Sequence, residues 1–469
     1  MDTPQATAAP WHRRIDRSRF PIYHAIAEAI AQAIGSGELR EGERLPAHRA
    51  LAAALGVDLT TVTRAYTEAR RRGLLDATVG RGTFVRSGAV SAPMRADRHA
   101  VVDMTMNLPP QPEDPGLRAL LQEGLTRLMR QQDLGVLMAY RLGAGTAEDQ
   151  SAGAAWLAPT MGRIDPQRLM VCPGAQAAMT AVLSTIAEPG DVILTERLTY
   201  PGIRALGAQL RLMLAGVETD AEGFLPDALD RACAEQRPRA IYCNPTIQNP
   251  TTYTMSAERR QAVVAIARRH DVPILEDDTY GLLPAEPLPA LAALAPELVF
   301  HVVTTAKTLS PGLRTAYLVA PTRVQAARLT AALRATALMG SGLLTGLVTL
   351  WMRGGQAQAL LAGIRREAAS RQQIAASVLA GTGAWAHPDG LHVWVGLPAH
   401  WNATDFVAYV RRLGLALVPG SAFAVEGAAP DAVRVALGAA PNREMLRESL
   451  ASVASALQRQ LPAGYSEVV

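Results

Sequence analysis

The stretch that decides the fold is Val299-Phe300-His301-Val302-Val303-Thr304-Thr305-Ala306-Lys307-Thr308-Leu309-Ser310-Pro311-Gly312-Leu313-Arg314. Its first half, Val299–Val303, is a short run rich in β-branched residues and reads as a buried strand. Lys307 stands just past the strand end, and a glycine-containing loop leads from it to Arg314. An amine in that place suits an aldehyde cofactor that forms a Schiff base. An arginine and hydroxyls beside it suit a phosphate on the same molecule. Alone the pair is a weak motif, because lysines also stand on loop surfaces. Composition adds a prompt: among 46 Lys+Arg, Lys307 is the only lysine.

Working outward, three further stretches fall at the ends of strand-like runs. Pro173-Gly174-Ala175-Gln176 follows Leu169–Cys172 and opens a helix, Ala177–Ile186, whose first N–H groups can hold phosphate oxygens. Asn249-Pro250 comes after the run Ala240–Tyr242, and Asp277 and Tyr280 come after Val272–Leu275. A carboxylate such as Asp277 keeps a pyridine nitrogen protonated, so that the ring acts as an electron sink, and Asn249 and Tyr280 can hydrogen-bond a ring oxygen. Successive side chains alternate between sheet faces, so Asp278 points away from Asp277 and reads as structural or solvent-side. Strand-like runs, including Val192–Leu194, alternate with helical patterns such as Arg259–Arg269. This is the rhythm of a parallel α/β sheet, which binds ligands at the carboxyl ends of its strands. Downstream, roughly 354–469 mixes helices with Gly390–Val395 and Leu415–Val418 and reads as a smaller α+β subdomain.

The amino-terminal part is different in kind. Ile22, Ile26, Ile30 and Ile34 recur every four residues as one helical stripe. A short helix, His48–Leu55, closes at Gly56. Asp58 can cap a third helix, Leu59–Arg72, with Val62, Tyr66 and Ala69 on one face. Two short strands, Leu74–Thr78 and Gly82–Val85, turn through Gly80-Arg81. Three helices and a hairpin make a winged helix-turn-helix, the bland alternative being a small helical docking domain. In the first reading Thr60, Thr61, Thr63 and Arg64 face the major groove, Arg49 clamps a phosphate, and Arg81 with Gly82 forms the wing tip. Residues 11–86 carry a net +5 and the remaining chain a net −1.

Composition excludes several classes. Of 469 residues, 49% are hydrophobic and 19% charged, so the chain can build a large core and is not globally disordered. Cys172, Cys233 and Cys243 are too few for a disulfide scaffold and lack zinc spacing. No secretory h-region and no apolar run of about 18 residues occurs, so no membrane association and a cytoplasmic location are expected. The domain plan is 11–86 for the winged helix, 87–103 for a linker, 104–353 for a large domain and 354–469 for the subdomain.

Two resemblances carry these readings further. Pro21-Ile22-Tyr23, Leu45-Pro46-Ala47-His48-Arg49, Thr61-Val62, Arg64-Ala65-Tyr66, Gly73-Leu74-Leu75 and Gly80-Arg81-Gly82-Thr83-Phe84-Val85 resemble the GntR-type winged-helix domain. From about Tyr140 onward the chain resembles the fold type I pyridoxal-phosphate enzymes, the aspartate aminotransferase superfamily. That resemblance implies pyridoxal 5'-phosphate as cofactor, with Lys307 as its covalent attachment and Arg314, Gly174, Ala175, Gln176 and Thr304 around its phosphate. It implies Asp277 at the pyridine nitrogen, Tyr280 and Asn249 at the 3-oxygen, and Tyr200 stacked on the ring. Tyr140 would reach a neighbour's phosphate across a dimer, and Arg434 would hold an amino-acid carboxylate. The chain departs from the family pattern at Ala306, Thr252, Ala316 and Leu198. None of these removes a main cofactor residue, but they reshape substrate loops, so cofactor binding is expected ahead of efficient transamination.

Together the halves resemble the MocR subfamily of bacterial regulators. The combination implies a homodimer, for which head-to-tail is the suggested arrangement. It implies operator DNA as partner and an amino acid, an amine or the cofactor itself as the signal, sensed through aldimine chemistry at Lys307. The alternative is an active aminotransferase with an appended DNA-binding domain.

Overall fold

The computed structural model describes residues 22–35, 38–39, 42–71, 74–78, 82–85, 101–141 and 143–459. Contacts divide the chain into two compact units, Met1–Ala100 and Val101–Val469.

In the first unit the helix Ile22–Gly35 buries Ile26 and Ile30 completely, with Ala33 and Ile34 beside them. Each such isoleucine contributes about 2 kcal/mol relative to an exposed one. The helix His48–Leu55 ends at Gly56, whose left-handed φ of 60° turns the chain where a side chain would be strained. The helix Leu59–Arg71 buries Val62, Ala65, Tyr66 and Ala69. Leu75–Thr78 pairs antiparallel with Gly82–Val85, Leu75 opposite Val85. The expected turn residue Arg81 lies outside the described residues, as do 86–100 of the linker.

The second unit is built on a seven-stranded sheet. From one edge it runs Leu169–Cys172, Ala316–Val319, Val299–Thr304, Ile274–Asp277, Ala240–Cys243, Val192–Glu196, Met213–Val217. Only Ala316–Val319 runs against the others. Adjacent strand residues serve opposite faces. Tyr242, Leu275 and Phe300 pack with Met179 and Val182, while Ile241, Ile274 and Val299 pack with Leu229 and Val264. Both faces are therefore covered, which is why these strands are continuously apolar. The strand expected at Val272–Leu275 lies two residues later. Val272 donates to Ala267 O at the end of the preceding helix, and Pro273 has no N–H for the ladder.

A smaller antiparallel sheet runs Ala384–Ala386, His392–Gly396, Ala432–Ala436, Val418–Pro419. Its core includes residues from far upstream. Val102–Asp103 pairs with Leu415–Ala416, and Met104 is fully buried among Phe406, Val433 and Leu446. The boundary at 103–104 expected from sequence therefore moves. These residues are neither linker nor large domain, because the small sheet buries Met104. Among the described residues no helix is long and apolar enough to cross a membrane.

Candidate functional site

Lys307 lies in the turn that ends Val299–Thr304, at the carboxyl edge of the large sheet. The turn is held by its own hydroxyls. Thr305 Oγ1 donates to Thr315 O at 2.9 Å, and Thr304 Oγ1 accepts from Ala306 N at 3.1 Å. Thr304 also donates to Thr315 O at 3.4 Å, so its hydroxyl serves the turn first. Lys307 is half-buried, and its amine donates to the main-chain oxygen of Asn107. Burial first, and then the Arg434 cation, push the amine down to about 8, with Asp277 opposing. A lysine so placed is a neutral nucleophile over much of the range near pH 8.

Asp277 ends its strand beneath this amine. Its carboxylate accepts from Tyr242 Oη at 2.9 Å and Thr279 Oγ1 at 2.6 Å, and burial pushes its pKa up. Asn244 donates to the Asp277 carbonyl and accepts from Asn249 N at 3.0 Å, which fixes the Asn249 loop to the strand end. Arg434 lies on the small sheet and crosses to this loop. It donates to Asn249 Oδ1 at 2.7 Å and to Thr105 O, and its guanidinium sits 5.0 Å from the Phe423 ring centre. Asp278 does face away from Asp277, but it is buried and accepts from Thr246 Oγ1 at 2.7 Å. The solvent-side alternative for it is excluded.

The phosphate end is built around Gly174. Its φ is +110°, and a side-chain carbon there would lie 2.7 Å from Arg314 Nη2. Arg314, itself left-handed at φ +47°, donates from Nη2 to Pro173 O at 3.2 Å. The helix Ala175–Ile186 begins at this point, so its first amides have no helical acceptors. Gln176 Nε2 donates to Gly202 O at 2.9 Å, and the Tyr200 ring lies over Gly202, where an added side-chain carbon would collide with it. Among the described residues, several buried polar atoms here have no hydrogen-bond partner: Gln176 Oε1, Thr308 Oγ1, Arg434 Nε and Asn107 Oδ1. Cradle, cation, lysine, carboxylate and orphaned atoms fit a phosphate-bearing pyridine aldehyde.

Tyr140 is not brought to this cluster. It is 78% exposed, beside exposed Leu134, Val136 and Met138. Three residues that the sequence did not single out do join the cluster. Tyr242 holds Asp277, while Asn107 and His392 contact Tyr280 or one another. Tyr242 could have been found from alternation along its strand; the other two sit in no recognisable spacing.

In the first unit, Arg49, Thr60, Thr63 and Arg64 are exposed and Thr61 is half-buried. Thr60 N donates to Asp58 Oδ1 at 2.7 Å and its hydroxyl to the same oxygen at 2.5 Å; these bonds hold the Asp58 carboxyl below its ordinary pKa. Thr63 Oγ1 donates to Leu59 O at 2.9 Å. Arg64 lies 4.4 Å from the Tyr23 ring centre, with its guanidinium over the face. A carbon on Gly82 would come within 2.8 Å of Arg44 Nε, so the start of that strand accepts only glycine without a shift.

Comparison with known proteins gives two family matches. Residues 109–453 match the aminotransferase class I and II family, and residues 22–85 match the gntR family of bacterial regulatory proteins. The chain is 31% identical to the HTH-type transcriptional regulator YdeF of Bacillus subtilis, covering 94% of this chain and 95% of that protein. It is 30% identical to the vitamin B6 salvage pathway transcriptional repressor PtsJ of Salmonella typhimurium, over 85% of this chain and 90% of that one. The α-aminoadipate aminotransferase LysN of Thermus thermophilus shares the fold of the second unit. Its TM-score is 0.70 at 24% identity, over 76% of this chain and 92% of that one.

Proposed function

From the premise that this chain belongs to the aminotransferase class I and II family, with a gntR-family regulatory domain at its amino end, we propose that it senses an amino acid or amine through pyridoxal 5'-phosphate held at Lys307. Transcriptional regulation is its general role, as it is for its full-length relatives. The observation that carries the cofactor reading is the half-buried Lys307 amine, within the fields of Asp277 and Arg434, at the carboxyl ends of the parallel strands.

When bound, the cofactor supplies an aldehyde that condenses reversibly with primary amines. Lys307 provides the resident amine with which a ligand amine competes. Asp277 holds a proton on the ring nitrogen, Asn249 and Tyr280 hold the 3-oxygen, and Tyr200 covers the ring face. Gly174, Ala175, Gln176 and Arg314 hold the phosphate, with Thr304 keeping the lysine turn in shape. Arg434 binds a ligand carboxylate. In the first unit, Arg64 and Arg49, with Thr60, Thr61, Thr63 and Gly82, meet operator DNA. The exposed group Leu134, Val136, Met138 and Tyr140 supports a homodimer in which Tyr140 completes the partner's site.

The test is an absorbance spectrum of the purified protein with pyridoxal 5'-phosphate, followed through a panel of amino acids and amines. Operator affinity is measured on the same samples. A visible band that one ligand alters together with DNA affinity is expected. A ligand that alters the band and leaves DNA affinity untouched would overturn the coupling. Sustained conversion of amino donor and keto acceptor would make the protein an aminotransferase.

A further inference from the structure

Asn107, Tyr280 and His392 meet in the interior, each less than 5% exposed. Asn107 comes from the extended segment after Val102–Asp103, Tyr280 from the large sheet's edge and His392 from the small sheet. Asn107 Nδ2 lies 2.8 Å from Tyr280 Oη and 2.9 Å from His392 Nδ1. A carboxamide nitrogen has two hydrogens and accepts nothing. One hydrogen therefore goes to the phenol oxygen and the other to Nδ1. With the amide in this orientation His392 is neutral and carries its proton on Nε2, a buried atom with no hydrogen-bond partner among the described residues. The surroundings agree: burial, and after it the Arg434 cation, push the imidazole down to about 3.

The consequence falls on Tyr280. A phenol has one hydrogen to give. With its oxygen already accepting from Asn107, that hydrogen is left for another acceptor. The main-chain oxygen of the same Asn107 receives the Lys307 amine. One residue thus touches both the group that attaches the cofactor and the phenol assigned to the cofactor's ring oxygen.

We propose that Asn107 and His392 are a positioning pair that aims the Tyr280 proton at the 3-oxygen of the bound cofactor. The pair acts through Tyr280 and touches no reacting atom itself. This inference rests on the cofactor reading given above. His392 belongs to the small sheet, so that sheet sets the orientation of a phenol on the large one.

The test reads the pH midpoint of the visible band of the protein loaded with pyridoxal 5'-phosphate. A hydrogen bond given to the 3-oxygen stabilises its negative charge and weakens its hold on the proton shared with the lysine nitrogen. Losing the aimed proton should therefore raise the midpoint. Asn107→Ala and His392→Leu are each expected to raise it by about one pH unit, the scale of one hydrogen bond to a charged group. His392→Gln keeps an acceptor for the Asn107 amide and should stay near the wild type. In a Tyr280→Phe background, neither Asn107→Ala nor His392→Leu should add a shift. Asp277, Tyr200 and Arg434 also act on the phenol and are unchanged in every variant.

An unmoved midpoint in the single variants, or a shift that persists without the Tyr280 hydroxyl, overturns the proposal. If Asn107→Ala takes up no cofactor, His392→Leu decides by the same midpoint, since it leaves every group touching Lys307 in place. The cofactor reading fails separately, in the wild type: no visible band forms, or Lys307→Ala keeps the band.

Discussion

Lys307 owes its chemistry to where its amine is kept. An exposed lysine titrates near 10.4 and is almost wholly charged at neutral pH. Burial brings this one down to about 8, so the reactive neutral form is about a tenth of the total there, against well under a thousandth for an exposed lysine. Below the pKa the amine carries a proton and cannot attack. The rate of cofactor uptake by the apoprotein should therefore rise about tenfold per pH unit up to about 8 and flatten above it. Rapid-mixing absorbance measures this, and a rise continuing unbroken to pH 10 would mean an unshifted amine. Arg434→Ala should weaken carboxylated ligands by about 10- to 100-fold, the worth of a charge-assisted hydrogen-bonded contact, and spare amines that lack the carboxylate. Titration of the visible band with matched ligand pairs checks it. Lys307, Asp277 and Asn249 could be read from sequence because each sits at a fixed offset from a strand end. Asn107 and His392 could not. Asn107 lies 173 residues from Tyr280 and 285 from His392, and a side-chain bond over such separations leaves no spacing to read.

At the scale of the element, the strand-to-helix turn at Gly174 does the most with the least. A backbone at φ +110° with a guanidinium 2.7 Å from its missing side chain admits only glycine. Gly174→Ala must distort the turn or displace Arg314, and either loss falls on phosphate binding. We expect cofactor affinity to drop by about 10-fold or more, a cost of the order seen for strained backbone. Direct titration of the apoprotein decides, and an unchanged Kd would remove Gly174 and Arg314 from the phosphate site. Element types were largely legible, since the periods of 3.6 and 2 are plain in the apolar pattern. Element ends were less so. The strand at Ile274–Asp277 begins two residues into its apolar run, because Pro273 has no N–H to give the ladder and the helix before it still claims Val272 N.

For the whole molecule, two family signatures in one chain join a DNA-binding unit to an aminotransferase-like unit. Replacing Arg64 by Ala should weaken operator binding by about 1–3 kcal/mol and relax its preference over unrelated DNA, while leaving cofactor uptake unchanged. Fluorescence anisotropy on operator and on unrelated DNA measures both, and an equal loss on the two would move Arg64 out of the groove. A charge placed among the exposed apolar residues, as in Val136→Glu, should shift sedimentation toward the monomer. Where Tyr140 serves the partner, cofactor affinity should fall in step. The overall two-unit plan was legible because the apolar period and charge change together along the chain. The place of Met104 was not, since nothing local says that a segment preceding the large sheet is buried in the small one.

The solitary lysine, packed against the Asn107 carbonyl, also makes the molecule a one-signal system. Growth on isotope-labelled lysine would put a single resonance in the spectrum of the whole chain, and that resonance would come from the centre of the site. Its chemical shift would report protonation, cofactor attachment and ligand arrival without assignment work or mutation. An amine-directed labelling reagent likewise has no other lysine side chain in the chain to modify.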